Sequence, residues 1–282
     1  MPTASRCRAV PVGVGSARLA SVARALRNAP TVLATGWNGF TLASPIEPER
    51  APMFWDHRTE SLELQVLGPL LSDVEMRGQV FTRDEILDEI TARLGAIPEY
   101  ASRFEAAYRD EGITPATVGK AIAAFERTLV PRESSFDRYL AGDDDAMSAV
   151  QIRGLRGFID GGCARCHSGP LLTDFALHVL PVATRPGDPV DLGDGEHRFR
   201  TPSLRMVTIT GPWMHNGSLS TLDEILDFYH NISVTDPLLG GDVEFPLGGT
   251  EDLRAFFDAL SDATYDRTIP ERVPSGLPPG GS

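Results

Sequence analysis

The stretch Gly162-Cys163-Ala164-Arg165-Cys166-His167 decides how this chain is read, and the C-x-x-C-H inside it occurs once. Two cysteines at this spacing can each form a thioether to one vinyl group of a haem. The histidine after the second cysteine then lies under the iron as its proximal ligand, so the pattern reads as c-type haem attachment. Rival readings ask for more than the sequence offers. A zinc site needs about four ligands, usually from two separated pairs, and the only other cysteine, Cys7, has no partner. A thioredoxin-like redox pair belongs beside a βαβ pattern, and none is present.

Working outward, helical patterns dominate. Asp143 to Asp145 can start a helix that runs through Leu155 and Phe158 to Gly161-Gly162 and delivers the chain into the motif. Downstream, Gly169 to Pro212 is punctuated by Pro and Gly and is long enough to be a functional wrap rather than a connector. Ser220-Thr-Leu-Asp223 caps another helix, with Leu222, Ile225, Leu226 and Tyr229 along one face. A further helix follows Thr250, with Leu253, Phe256, Phe257 and Leu260. Nearer the start, Thr82-Arg-Asp-Glu85 reads as a capping box before Ile86, Ile90 and Leu94. Thr114-Pro115 opens a helix with Val118, Ile122, Phe125 and Leu129 on one face. Alternating strand patterns are scarce, no repeat is present, and residues after Ile269 read as a flexible tail. The expected fold class is all-α with long ordered loops.

Composition sets bounds. The 282 residues are 41% hydrophobic and 23% charged, enough for one large or two modest domains. A net charge of −13 argues against a nucleic-acid partner, because a phosphate backbone attracts a basic surface. It fits a solvated acidic surface, or a basic partner protein. Three cysteines, two of them in the haem motif, leave no disulfide framework. Residues 1–46 contain no Asp or Glu but include Arg6, Arg8, Arg18, Arg24 and Arg27, faintly like a transit peptide. No uninterrupted apolar h-region follows, and no stretch is long enough to span a membrane. Covalent haem attachment in bacteria normally follows export, so the expectation is that the true N-terminus is missing.

A series of segments in one order carries a resemblance. They are Arg27-Asn-Ala-Pro-Thr31, Phe54-Trp-Asp-His-Arg58, Gly68-Pro69 leading to Glu75-Met76, Ala123-Ala-Phe-Glu-Arg-Thr-Leu129, Ser135-Phe-Asp-Arg-Tyr-Leu140, Gly162 to Pro170, Phe199-Arg-Thr-Pro-Ser-Leu-Arg205 and Pro212-Trp-Met-His-Asn-Gly217. From about Arg27 to Tyr229 the chain resembles the bacterial dihaem cytochrome c peroxidase/MauG family. The resemblance implies two cytochrome c-like haem domains, an N-terminal peroxidatic one and a C-terminal electron-transfer one, and Cys163 to His167 match the C-terminal motif. The first C-x-x-C-H should lie upstream of Val12-Gly-Val-Gly15, and Cys7 cannot be that site. Residues 1–140 are therefore expected to be a remnant of the peroxidatic domain, 141–268 the C-terminal haem domain and 269–282 the tail.

The same resemblance assigns roles. Glu75 matches the carboxylate over the peroxidatic iron, where peroxide heterolysis needs a base, and Pro69 is its neighbour. On its own sequence, Glu75 three residues after Ser72 reads as a capping-box glutamate. Trp55 matches the tryptophan between the two haems, or else is a core aromatic beside Phe54. Sixth-ligand candidates for the Cys163–His167 haem are His178, His197, Met206, Met214, His215, Tyr229 and His230. Peroxidases of the family place a methionine on the helix after the Pro-x-x-His-x-Gly loop. Tyr229 stands at that position, as in MauG-like members, where the tyrosine ligates iron. Tyr229 also completes an apolar helix face, the bland alternative. Asn28, Thr210 and Pro212 match the family's calcium ligands, oxygen donors suited to a hard cation, although Asn28 equally reads as a turn residue.

The function implied is a c-type haem oxidoreductase of the peroxidase class. It would transfer electrons for peroxide reduction or peroxide-dependent oxidation, exchange them with a small redox protein, and reside in the periplasm. A single-haem electron-transfer cytochrome is the alternative, and a non-haem protein using the cysteine pair for metal or redox chemistry is a remote third.

Overall fold

The computed structural model describes residues 25–39, 47, 50–232 and 252–279. Cys7, the Val12–Gly15 segment, the arginines before residue 25 and Thr250 lie outside them. The chain falls into two compact units that interleave in sequence. The described part of the first comes mainly from Leu62–Phe125 and the segment from Arg267, and the second comprises Leu26–Ser61 and Glu126–Asp266.

Among the described residues, the first unit is built from α1 (Leu62–Gln65), α2 (Leu67–Leu71), α3 (Ile86–Gly95), α4 (Pro98–Ala107) and α5 (Pro115–Glu126). The Glu85 carboxylate accepts from Thr82 N (3.0 Å) and Oγ1 (2.7 Å), which fixes the entry to α3. Val66, Leu70 and Val118 form the core, with Leu87, Ile90, Leu94 and Phe104 packed around them. The α5 face differs from the stripe its spacing suggests. Thr117, Val118, Gly119 and Ala123 are buried, whereas Ile122 and Phe125 are 36% and 57% exposed. Gly119 supplies the reason: a Cβ there would lie 2.6 Å from the Glu63 carbonyl oxygen, so α5 meets the α1 backbone through its smallest residues. Ser72 is the C-cap of α2 and starts no helix, which corrects the capping reading of Glu75. Beyond α5, Arg272 of the C-terminal segment pairs with Glu99 at 3.1 Å.

The second unit holds α6 (Ser135–Leu140), α7 (Ala149–Asp160), α8 (Leu222–Asn231) and α9 (Leu253–Ala259). Three capping boxes start three of these helices, Ser134 with Asp137, Ser148 with Gln151 and Thr221 with Glu224. The α7 helix begins at Ser148 rather than in the Asp143–Asp145 run, because the serine–glutamine pair satisfies its first N–H groups. The α8 box sits one residue on from Ser220–Asp223, since Glu224 is the acid whose oxygen reaches both Ser220 N (2.6 Å) and Thr221 N (3.0 Å). Phe136, Phe158, Phe256 and Phe257 knit α6, α7 and α9, with Phe158 and Phe256 ring centres 5.1 Å apart. Leu253, Phe256, Phe257 and Leu260 are all buried, as their spacing indicates.

Within Gly169–Pro212 the chain forms an antiparallel ribbon, β1 (Leu177–Val179) with β2 (Arg198–Arg200), pairing His178 with Phe199. Three-residue strands are too short to show a period-2 pattern. The chain is thus mostly helical, with this ribbon the only sheet among the described residues. No described helix is long and apolar enough to cross a membrane.

The α7–α9 contact closes on Gly154, where an added Cβ would sit 2.9 Å from Phe256 Cβ and nearer still to the Asp252 carbonyl oxygen. Gly154→Ala is expected to destabilise the second unit by about 1–3 kcal/mol through overpacking, read as a lowered midpoint in thermal unfolding.

Candidate haem site

The site is built where α7 ends. Gly162 takes φ 83°, a left-handed conformation that glycine adopts without a Cβ clash, and turns the chain into a 3₁₀ turn at Cys163–Arg165. Arg165 N donates to Gly162 O (3.1 Å) and His167 N to Cys163 O (3.0 Å). This tight turn brings Cys163, Cys166 and His167 to one mostly apolar cavity. His167 Nδ1 lies 3.0 Å from Leu172 O. A carbonyl only accepts, so Nδ1 carries the hydrogen and Nε2 keeps the lone pair a metal needs. Burial holds the imidazole below its ordinary range, although the Leu172 and Pro202 carbonyls work in the opposite direction. A neutral imidazole is the ligating form.

The two cysteines are free thiols. Burial pushes Cys163 up to about 11, and burial raises Cys166 as well, with Asp174 adding to it. Redox-active pairs need the reverse, a depressed thiol that ionises near neutrality. Cys166, Asp174 and His178 bring ligand atoms within 4.8 Å of one another, but this trio leaves Cys163 unused. Attachment to a haem employs both cysteines and the histidine.

The α8 helix contributes Leu222, Ile225, Leu226 and Tyr229 to the same cavity. Burial raises the Tyr229 phenol, with Cys163 and Cys166 adding to it. Of the other sixth-ligand candidates, His178, Met214 and His215 also line the cavity, whereas His197, Met206 and His230 do not. Met206 is 1% exposed in the core, its sulfur accepting from Asp262 N (3.3 Å). His230 is exposed, with Nδ1 3.2 Å from Leu226 O. His178 Nε2 is engaged 2.8 Å from Asp174, and His215 stacks on Phe199 with ring centres 3.7 Å apart. Burial takes His215 down to about 4. His178, Met214, His215 and Tyr229 are thus the sixth-ligand candidates that the structure brings to the cavity wall.

Trp55 lines the cavity too, its Nε1 donating to Asn28 O at 2.9 Å. Asn28 Nδ2 donates to Pro212 O at 2.6 Å, and Thr210 lines the same cavity. A cation there would require the Asn28 amide to present its oxygen instead. In the first unit, Pro69 lies in α2, and its carbonyl accepts from Met76 N (3.2 Å). Glu75 sits in the following turn, its N–H bonded to Ser72 O (3.3 Å), and is exposed. Sequence reading gave no role to Arg200. It lies in the Phe199–Arg205 segment, on β2, with 9% exposure and a place on the cavity wall. Burial of a charge is invisible to periodicity in a strand this short.

Residues 5–145 match the model of the di-haem cytochrome c peroxidase family. The chain is 32% identical over 250 residues to the methylamine utilization protein MauG of Methylophilus methylotrophus, covering 83% of this chain and 68% of that protein. It is 33% identical over 234 residues to the cytochrome c551 peroxidase of Pseudomonas aeruginosa, covering 77% and 66%. The chain thus spans about two thirds of these relatives' length. Among solved structures, a MauG-like protein associated with microbial copper homeostasis superposes with a TM-score of 0.66 at 28% identity, covering 85% of this chain and 77% of that one. The diheme peroxidase BthA from Burkholderia thailandensis has a TM-score of 0.63 at 22% identity, over 89% and 76%, a likeness of fold.

Matured in a host with cytochrome c assembly, the chain is expected to carry covalent haem at Cys163 and Cys166, read by pyridine haemochrome assay and intact mass. Cys163→Ala or Cys166→Ala should weaken or abolish attachment, and His167→Ala should alter the spectrum of whatever haem is retained. A mass with no haem adduct in the unaltered protein would refute the assignment.

Proposed function

This chain belongs to the di-haem cytochrome c peroxidase family of peroxidase-like haem oxidoreductases, and on that premise we propose that it passes electrons through a haem c held by Cys163, Cys166 and His167. The observation that carries the proposal is the convergence of those three residues with Tyr229 on one cavity. A c-type haem there supplies one-electron chemistry at its iron. His167 offers Nε2 with its ring fixed by Leu172, and Tyr229 offers a phenolate oxygen from α8. A buried phenol gives up its proton only where a cation offsets the cost, so loss of that proton is tied to ligation. Phenolate is a hard anionic donor that favours ferric iron and lowers the potential, whereas a thioether such as Met214 raises it. Trp55, on the cavity wall, is the electron relay.

In the peroxidatic half, Glu75 is the base that moves a proton from the near to the leaving oxygen of a peroxide, with Pro69 shaping its surroundings. Residues 1–140 then represent the peroxidatic domain, 141–268 the electron-transfer domain and 269–282 the tail. Asn28, Thr210 and Pro212 hold a calcium ion through oxygen donors. The setting is periplasmic, and a small redox protein exchanges electrons with the cavity's haem.

Tyr229→Phe keeps the packing and deletes the donor. It should change the ferric optical spectrum and raise the reduction potential, and an unchanged spectrum would hand the role to Met214, His230 or no ligand. Expressed by itself, this chain should reduce hydrogen peroxide poorly, since His167 and Tyr229 would both hold the haem iron and the one C-x-x-C-H of this sequence is used there. Adding an upstream segment with its own C-x-x-C-H should restore turnover, and Glu75→Gln in that longer protein should lower it by about 10²–10⁴-fold. Brisk turnover by the shorter chain, indifferent to Glu75→Gln, would place the chemistry in the other half.

A further inference from the structure

We propose that Arg200 is the receptor for a carboxylate of the cavity's occupant, a propionate of the haem attached at Cys163 and Cys166. Arg200 is 9% exposed and is one of the residues of the cavity wall. Its backbone N–H donates to Trp55 O (2.7 Å) and Nη1 donates to Pro52 O (2.9 Å), while Nε is buried with no partner. Other buried or nearly buried arginines of this unit have anions. Arg27 pairs with Asp56 and Asp191 (2.6 Å each), Arg205 with Asp137 (2.7 Å) and Arg185 with Asp188 (2.7 Å). Among the described residues no carboxylate reaches Arg200.

A buried guanidinium without a counter-charge is costly, and burial alone takes this one down to about 10. Among the described residues the cavity wall contains no Asp or Glu, although the chain has 39 acidic residues against 26 basic ones. Arg165, the other arginine on the wall, is exposed. His57 Nε2 is also buried without a partner, and the Arg200 charge helps hold that imidazole low, after burial. Among the described residues, then, the wall offers no anion to a fixed cation that lacks one. A haem c brings two propionates, and the planar guanidinium fork matches a carboxylate in two parallel hydrogen bonds.

The inference rests on the haem reading above, and one preparation separates the two. Wild-type, Arg200→Gln and Arg200→Lys proteins are matured with cytochrome c assembly and checked for covalent haem. Reduction potential and the propionate bending band in resonance Raman spectra are then measured at one pH. Arg200→Gln should shift the potential down, because a cation that disfavours ferric iron is gone, and should move the propionate band. Arg200→Lys should recover most of the potential while leaving the band altered, since it keeps charge and loses the fork. If Arg200→Gln yields no folded holoprotein, the wild type decides, because exchange of guanidinium hydrogens for deuterium should move a propionate band that they bond. A holoprotein of Arg200→Gln with wild-type potential and band, or a wild-type band indifferent to deuterium, overturns the proposal. Absence of covalent haem from the wild type would instead overturn the haem reading.

Discussion

The hydrogen bond from His167 Nδ1 to the Leu172 carbonyl, 3.0 Å, is the constraint on which the rest of the site depends. It fixes the tautomer, hence which nitrogen faces the cavity, and it fixes the plane of the ring. Presenting that carbonyl requires Leu172 to take φ 53°, a left-handed backbone costing roughly 1–3 kcal/mol for a residue with a side chain. The conformation persists because the Leu172 side chain is 4% exposed in the Phe136–Phe158–Phe256 core and its N–H is tied to Gly169 O (3.1 Å). Core packing between α7 and α9 is thus what holds an imidazole at the end of α7 in a ligating pose. A loosened core would free the ring before it unfolded the chain.

The surroundings of that ring are one-sided in charge. Apolar residues of α8, the two sulfurs and Phe257 line the cavity, and no carboxylate joins them. In such a place ionisation is decided by whatever enters. The thiols stay protonated until capped, the imidazole stays neutral, and the phenol of Tyr229 stays protonated until a cation is near. All three shifts come from burial first, and all are reversed or made irrelevant by one occupant that bonds the sulfurs and brings a metal. A redox dithiol would need the reverse, a thiol that ionises near neutrality.

Much of this was legible in the sequence because it is local. The C-x-x-C-H spacing forces both sulfurs and the imidazole onto one turn, and the Leu222, Ile225, Leu226, Tyr229 stripe forces the phenol to the face that α8 turns inward. Capping was readable to within a residue at α8, where Thr221 and Glu224 displaced Ser220 and Asp223. What escaped depends on distant backbone. The α5 face rotated because Gly119 admits the Glu63 carbonyl, a contact across 56 positions that no window of apolar periodicity contains. The β1–β2 ribbon escaped for a related reason, since its pairing partners stand about twenty residues apart within an irregular segment.

Arg200 shows where periodicity and motif reading both stop. Nothing in the sequence around Arg200, between Phe199 and Thr201, marks it as buried. The ribbon does, because pairing Leu177 with Arg200 and the bond from Arg200 N to Trp55 O together commit the residue to the inner side. Burial then makes its charge a liability unless an anion arrives, while the same burial would make a single well-aligned carboxylate contact stronger than it is in water. The cost is therefore stored in the empty protein and released on occupation, which biases the cavity toward an anionic guest before any covalent bond is made.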